Sequence, residues 1–204
     1  MREAVDLPVT VKHRIGVDEH DSYPFLADFV GTVAEAGCEV FLVHARKAWL
    51  KGLSPKQNRE IPELNYDRVY QLKKDFPDLE IIINGGVTTL EQSTEHLKHL
   101  DGVMVGREAY TNPYLLASVD QIIYGSDSPI KSREKIAEEF LKYVDNELSK
   151  GTKLNAMTRH ILGLFHGMPG ARQFRRHISE NAHKPSATIE VLTNALAKTS
   201  GVNG

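Results

Sequence analysis

The chain has 204 residues, 41% hydrophobic and 25% charged, with a formal net charge of −2, a balance that belongs to a globular protein and excludes a disordered one. No apolar run approaches the roughly 18 residues of a membrane helix, and the start MREAVD lacks the apolar core of a secretory signal. A lone cysteine, Cys38, excludes an internal disulfide framework or a cysteine-based metal cluster. A cytoplasmic protein without membrane contact is expected, and the net charge alone speaks against a nucleic-acid binder.

In chain order, residues 8–14 (PVTVKHR) read as a strand. Residues 23–36 follow as a helix with Phe25, Leu26, Phe29, Val30 and Val33 on one face, stopped by Gly37. Residues 39–44 (EVFLVH) form an apolar strand, and a long polar loop leads to a helix over 66–76. Residues 80–84 (EIIIN) are a strand, 89–99 a helix and 102–106 (GVMVG) a strand. Apolar strands alternating with helices predict an α/β fold with a parallel sheet covered on both faces. The turn-rich 125–129 (GSDSP) then divides a first domain, 1–124, from a second, 125–204. Only helices follow, over 132–148, 153–165, 171–181 and 186–198, with Ser132 able to cap the first.

Polar residues gather at the C-terminal strand ends, the edge that carries active sites in β/α folds. Lys12 and Arg14, two apart, share a side of their strand. That side is either a ligand-lined interior or a solvated edge. His44 ends the second strand and opens a loop, 45–62, that holds Arg46, Lys47, Lys51, Lys56 and Arg59 against Glu60 alone. A strand-end histidine is commonly structural, but this one is followed by cations. Asn84-Gly85-Gly86 and Gly106-Arg107, each after an apolar strand, suit a split phosphate cradle, since glycine lets a backbone approach a ligand. Cys38 precedes its strand, at the wrong edge for catalysis, and reads as a packing residue. The nine histidines show no metal-ligand spacing, so no metal is expected.

Charge is unevenly spread. Residues 131–204 carry 12 Lys and Arg against 7 Asp and Glu, a net of +5, whereas the first 130 residues carry a net of −7. Between 151 and 184 six bases face one acid, Glu180, which marks either a polyanion-binding face or a solvated one.

The runs TVKHRIG (10–16), VHARKAWLKGLSPKQNRE (43–60), INGGV (83–87) and GVMVGREAYTNP (102–113) resemble the tRNA-dihydrouridine synthases. The long loop with Trp49 and GLSP is similar to that family's A-type branch, and Arg159-His160 with PGAR (169–172) to its RNA-binding tail. The resemblance implies the C-terminal half, four βα units, of an FMN-binding TIM barrel followed by an all-helical RNA-binding domain. It implies reduction of the C5–C6 bond of tRNA D-loop uridines, at positions 20 and 20a for the A-type, with NADPH supplying hydride through FMN. Lys12 and His44 would contact the isoalloxazine ring. Asn84, Gly85, Gly86, Gly106 and Arg107 would hold the phosphate side. Arg14, Arg46, Lys47, Lys51 and Arg59, with Arg159, Arg172, Arg175 and Arg176, would meet the RNA.

The family's catalytic cysteine has no counterpart here, since Cys38 does not match its motif, so no catalytic residue is assigned. With four strands where a barrel has eight, the chain is expected to be inactive alone and to bind FMN poorly. A separately supplied N-terminal half or a second copy is an expected partner. The alternatives are a non-catalytic tRNA-binding remnant or another phosphate-binding β/α oxidoreductase.

Overall fold

A computed structural model describes residues 4–200, and residues 1–3 and 201–204, including the start of the chain read above for a signal, lie outside the described part. The described chain separates into two compact units, one through Gly106 and one from Arg107 onward.

The first unit contains strands β1 (Val11–Arg14), β2 (Val40–His44), β3 (Glu80–Asn84) and β4 (Gly102–Met104) and helices α1 (Tyr23–Glu35), α2 (Tyr66–Asp75) and α3 (Leu90–Leu97). All pairings are parallel and the strand order is β1-β2-β3-β4. Strict sequential order with right-handed crossovers places the helices on one side, as in consecutive βα units of a TIM barrel. The alternation of side chains sorts accordingly. Phe41, Val43, Ile81 and Ile83 are fully buried with Leu26, Val30, Val69 and Leu72 of the helices. On the other face Leu42 and Ile82 are only half-buried. The expected cover on both faces is therefore absent among the described residues.

Local signals place the helices. Ser22 caps α1 by accepting the Phe25 N–H, and Gly37 at φ 94° ends the turn that follows it. Thr89 and Gln92 form a capping box at α3. The α1 face is narrower than its sequence suggests. Leu26 and Val30 are buried, whereas Phe25 and Phe29 are exposed and pack against His20 and His13.

The second unit is helical: α4 (Arg107–Thr111), a 3-10 turn (Pro113–Ser118), α5 (Val119–Ile122), α6 (Arg133–Ser149), α7 (Leu154–Thr158), α8 (Ala171–Asn181) and α9 (Glu190–Ser200). Its core holds Val144, Leu154, Phe165, Phe174, Ile178 and Leu192, with Tyr114 packed against them. Tyr114 lies before the expected boundary at 124. Its packing shows why the compact unit begins earlier than the turn-rich 125–129 suggests. Ser132 does cap α6, accepting the Lys135 N–H at 3.2 Å. The helix expected over 153–165 stops at Thr158. A Cβ at Gly163 would stand 2.1 Å from the Thr111 carbonyl oxygen, so this stretch is built for close backbone approach rather than for a helix. No helix among the described residues is long and apolar enough to cross a membrane.

Candidate functional site

Register brings the polar strand ends into one row. Arg14 pairs with His44, His44 with Asn84, and Asn84 with Met104. Two residues back, the Lys12 Nζ passes across β2 and donates to Asn84 Oδ1 at 3.1 Å, while Asn84 Nδ2 donates to the Met104 carbonyl at 2.7 Å. This relay ties β1, β3 and β4 through one carboxamide and fixes which way it points. Lys12, Arg14, His44 and Asn84 line one open cavity of about 710 Å³, together with Trp49, Leu53, Pro55, Asn58 and Arg59 of the long loop. Partial burial and the neighbouring Arg14 hold the Lys12 ammonium below the ordinary lysine range.

His13, between the two cations, points the other way. Its Nδ1–H donates to the Arg14 carbonyl at 2.9 Å, and its ring meets Phe29 and Phe41 edge-on. Nε2 is buried without a hydrogen-bond partner among the described residues. Burial lowers its pKa, and Lys12 lowers it further against the opposing pull of the Arg14 carbonyl. The neutral form is thus the folded form. A histidine whose folded pKa lies below its unfolded value of 6.5 contributes stability above that pH and loses it as pH falls. Unfolding stability is expected to drop as pH decreases below about 6.5. A nuclear magnetic resonance titration that put the His13 midpoint at or above 6.5 would contradict this.

The two glycines after β3 serve the protein's own packing. Gly85 has φ 112° and Gly86 φ 73°. A Cβ on Gly85 would lie 2.5 Å from His44 Cδ2, and one on Gly86 would lie 2.5 Å from Leu64 Cδ1 and 2.7 Å from the Tyr66 hydroxyl. Their missing side chains make room for His44, Leu64 and Tyr66, where the sequence suggested room for a ligand. Gly106 differs: a Cβ there would meet only Asn84 Nδ2, at 3.9 Å.

Tyr66 donates to the Gly85 carbonyl at 2.9 Å and its ring packs edge-on against buried His96. Burial raises the Tyr66 pKa, keeping the hydroxyl a donor. Tyr66→Phe is expected to destabilise the chain by about 1 kcal/mol and to speed amide exchange at Gly85 and Gly86. Unchanged exchange there would show that the hydroxyl does not hold the loop.

Three of the cations expected to meet RNA are engaged within the first unit. Arg14 donates to the carbonyls of Lys47 (2.8 Å) and Asn58 (2.9 Å). Arg46 donates to the carbonyls of Glu60 and Pro62, closing the loop on its own end. Lys47 pairs with Asp21 at 2.9 Å and sits 4.2 Å from the centre of the Trp49 ring. Lys51 and Arg59 are exposed. In the second unit Arg159, Arg172 and Arg176 are exposed and Arg175 is half-buried, with Arg176 paired to Glu180 at 2.7 Å. Arg107 opens the second unit as the first residue of α4. Cys38 is 7% exposed, and its thiol faces the carbonyls of Val9 and Val40, at the start of β2 rather than at the end that carries His44. No cluster that could hold a metal occurs among the described residues.

Sequence reasoning did not single out Asn58, Leu64, Tyr66 or Asp21. The asparagine and tyrosine act through backbone contacts, and Asp21 through a partner 26 residues away, which no local pattern signals.

The sequence profile of dihydrouridine synthase (Dus) matches residues 1–200. Among curated proteins, the tRNA-dihydrouridine(20/20a) synthase of Vibrio vulnificus (strain CMCP6) is 67% identical over 199 residues, covering 97% of this chain and 61% of that protein. The proteins of the same name from Shewanella oneidensis and Salmonella typhimurium are 62% and 58% identical, over 94% and 96% of this chain and 57% and 59% of theirs. The chain thus spans about three fifths of the length of these relatives. Four sequential parallel strands joined by helices, a helical second unit and this match over nearly all of its residues place the chain in the dihydrouridine synthase family.

Proposed function

We propose that this chain carries cofactor- and tRNA-facing surfaces of a tRNA-dihydrouridine(20/20a) synthase, an FMN enzyme that draws on NADPH to reduce D-loop uridines. One observation carries the reading: Lys12, His44 and Asn84, from three successive strands, line a single cavity, with Lys12 bonded to Asn84. An ammonium, an imidazole and a carboxamide suit the polar pyrimidine edge of an isoalloxazine, so the donor set fits FMN. Bound FMN supplies the hydride that the uracil ring receives. Lys12 would hold positive charge beside that edge, which a preorganised site does at little reorganisation cost. Asn84, held by Lys12 and the Met104 carbonyl, would contact the ring edge rather than the phosphate side that the resemblance implies. His44, packed over Gly85, would contact the ring as well. The Gly86 and Gly106 amides, and on sequence grounds Arg107, are proposed for the phosphate. The proton for uracil C5 is not assigned to Cys38, which is buried at the other end of β2.

For the RNA, the exposed Lys51 and Arg59 of the first unit and Arg159, Arg172, Arg175 and Arg176 of the second are proposed contacts, with affinity falling steeply in salt as counterions are released. Arg14, Arg46 and Lys47 are proposed to shape the loop that presents the others.

The test is genetic and chemical. The chain is expressed, alone and together with the N-terminal part of a full-length relative, in a strain whose tRNA lacks dihydrouridine at positions 20 and 20a, and the tRNA is analysed by mass spectrometry. Dihydrouridine is expected to return when both parts are present and not with the chain alone, and Lys12→Ala at equal protein level is expected to lower its rate of formation by roughly 100-fold. No dihydrouridine with both parts present overturns the activity. An undiminished rate with Lys12→Ala overturns the placement of Lys12.

A further inference from the structure

We propose that Trp49 is a nucleobase-stacking platform in the cavity wall, taking the base of an unpaired nucleotide beside the target uridine; this rests on the tRNA reading above. Trp49, Leu50, Leu53 and Pro55 form an apolar wall in a cavity whose other lining includes Lys12, His44 and Asn84. Trp49 is only half-buried and Leu50 is 72% exposed. Neither side chain belongs to the buried core of the unit, so core filling does not explain an indole here.

The loop is nevertheless held tightly at this residue. The Trp49 N–H donates to Asn58 Oδ1 at 2.8 Å, and Asn58 Nδ2 donates back to the Trp49 carbonyl at 2.6 Å. The next N–H, of Leu50, donates to Asp18 Oδ1 at 2.8 Å. Asp18 adopts φ 47°, a left-handed conformation uncommon for a residue with a side chain, and its own N–H donates to the Ala48 carbonyl at 2.7 Å. The Lys47 ammonium lies 4.2 Å from the indole centre and is itself fixed by Asp21. Asn58 and Asp18 thus fix the backbone around Trp49, and Lys47, held by Asp21, packs against its ring.

Such a ring binds a flat partner with little further loss of freedom. The partner's chemistry follows from the surroundings. Exposed Arg59 lines the same cavity and favours phosphates, while the indole and its aliphatic neighbours favour a π-face. An unpaired nucleotide has both, and base–aromatic stacking tolerates any base. A base outside a duplex is also what remains next to a uridine drawn out for reaction.

Trp49 is the only tryptophan in the chain, so intrinsic indole fluorescence reports this site alone. The full chain is titrated with an unmodified D-loop oligoribonucleotide, while anisotropy of the labelled RNA measures binding independently. Quenching that follows the binding isotherm is expected, and an oligonucleotide with abasic positions beside the uridine should bind without it. Trp49→Ala is expected to weaken RNA binding roughly 5- to 100-fold with FMN affinity unchanged. Trp49→Phe should recover most of the loss, and Asn58→Ala, which keeps the ring but frees its backbone, should fall between.

RNA binding with unchanged emission and unchanged Trp49→Ala affinity overturns the platform and leaves the tRNA reading standing. Equal losses of FMN and RNA affinity in Trp49→Ala overturn it in favour of a cofactor contact. Absence of RNA binding by the unaltered chain removes the tRNA reading itself, and the platform with it.

Discussion

Gly85→Ala is expected to destabilise the chain by about 3 kcal/mol, from backbone strain and overpacking together. At φ 112° an alanine is strained whatever the surrounding space, and its Cβ would stand 2.5 and 2.9 Å from the His44 ring and 3.2 Å from Leu64. The ring cannot give way without leaving the row it forms with Arg14 and Asn84. The substitution is therefore expected to disturb the cavity as well as stability. Gly106→Ala is the control. Its Cβ would meet nothing nearer than 3.9 Å, and its φ lies outside the positive range, so a change within about 1 kcal/mol is expected. Urea unfolding of both variants decides the matter. Equal effects would show that the close approach of His44 to Gly85 does not constrain the site.

Arg14→Ala is expected to cost about 3 kcal/mol, the lower end for losing two hydrogen bonds from a charged donor at about 1.5–3 kcal/mol each. The guanidinium reaches Lys47 and Asn58, 33 and 44 residues further along the chain. It thereby fastens both limbs of the basic loop to the end of β1. Without it the loop should open, and trypsin should cut faster after Lys51, Lys56 and Arg59. Arg14→Lys should rescue only part of this protection, since an ammonium is more strongly hydrated than the guanidinium whose Nη1 serves both carbonyls. A loop equally resistant in Arg14→Ala would return Arg14 to the role of a direct RNA contact.

Much of the first unit was legible from local pattern. The run EIIIN marks β3 to the residue, because an apolar β-branched stretch bounded by polar residues has few other uses. The alternation of side chains placed Lys12 and Arg14 on one side, and both line the cavity. Gly85 and Gly86 were visible as a special turn, and both have positive φ. The motif order also pointed to the family that the comparisons establish.

Tertiary structure alone decided what these residues face. The glycines looked like space for a ligand, yet the space is taken by His44, Leu64 and Tyr66. Arg14 and the cations of the long loop looked alike in the sequence, yet Arg14, Arg46 and Lys47 are turned to carbonyls and a carboxylate while Lys51 and Arg59 remain exposed. The sheet looked covered on both faces, yet α1 and α2 pack on one. The physical reason is the same in each case. Strands and turns are set by steric and hydrophobic preferences that act over a few neighbouring residues. A hydrogen bond or a steric gap is set by atoms that meet only after the chain has folded, tens of residues apart.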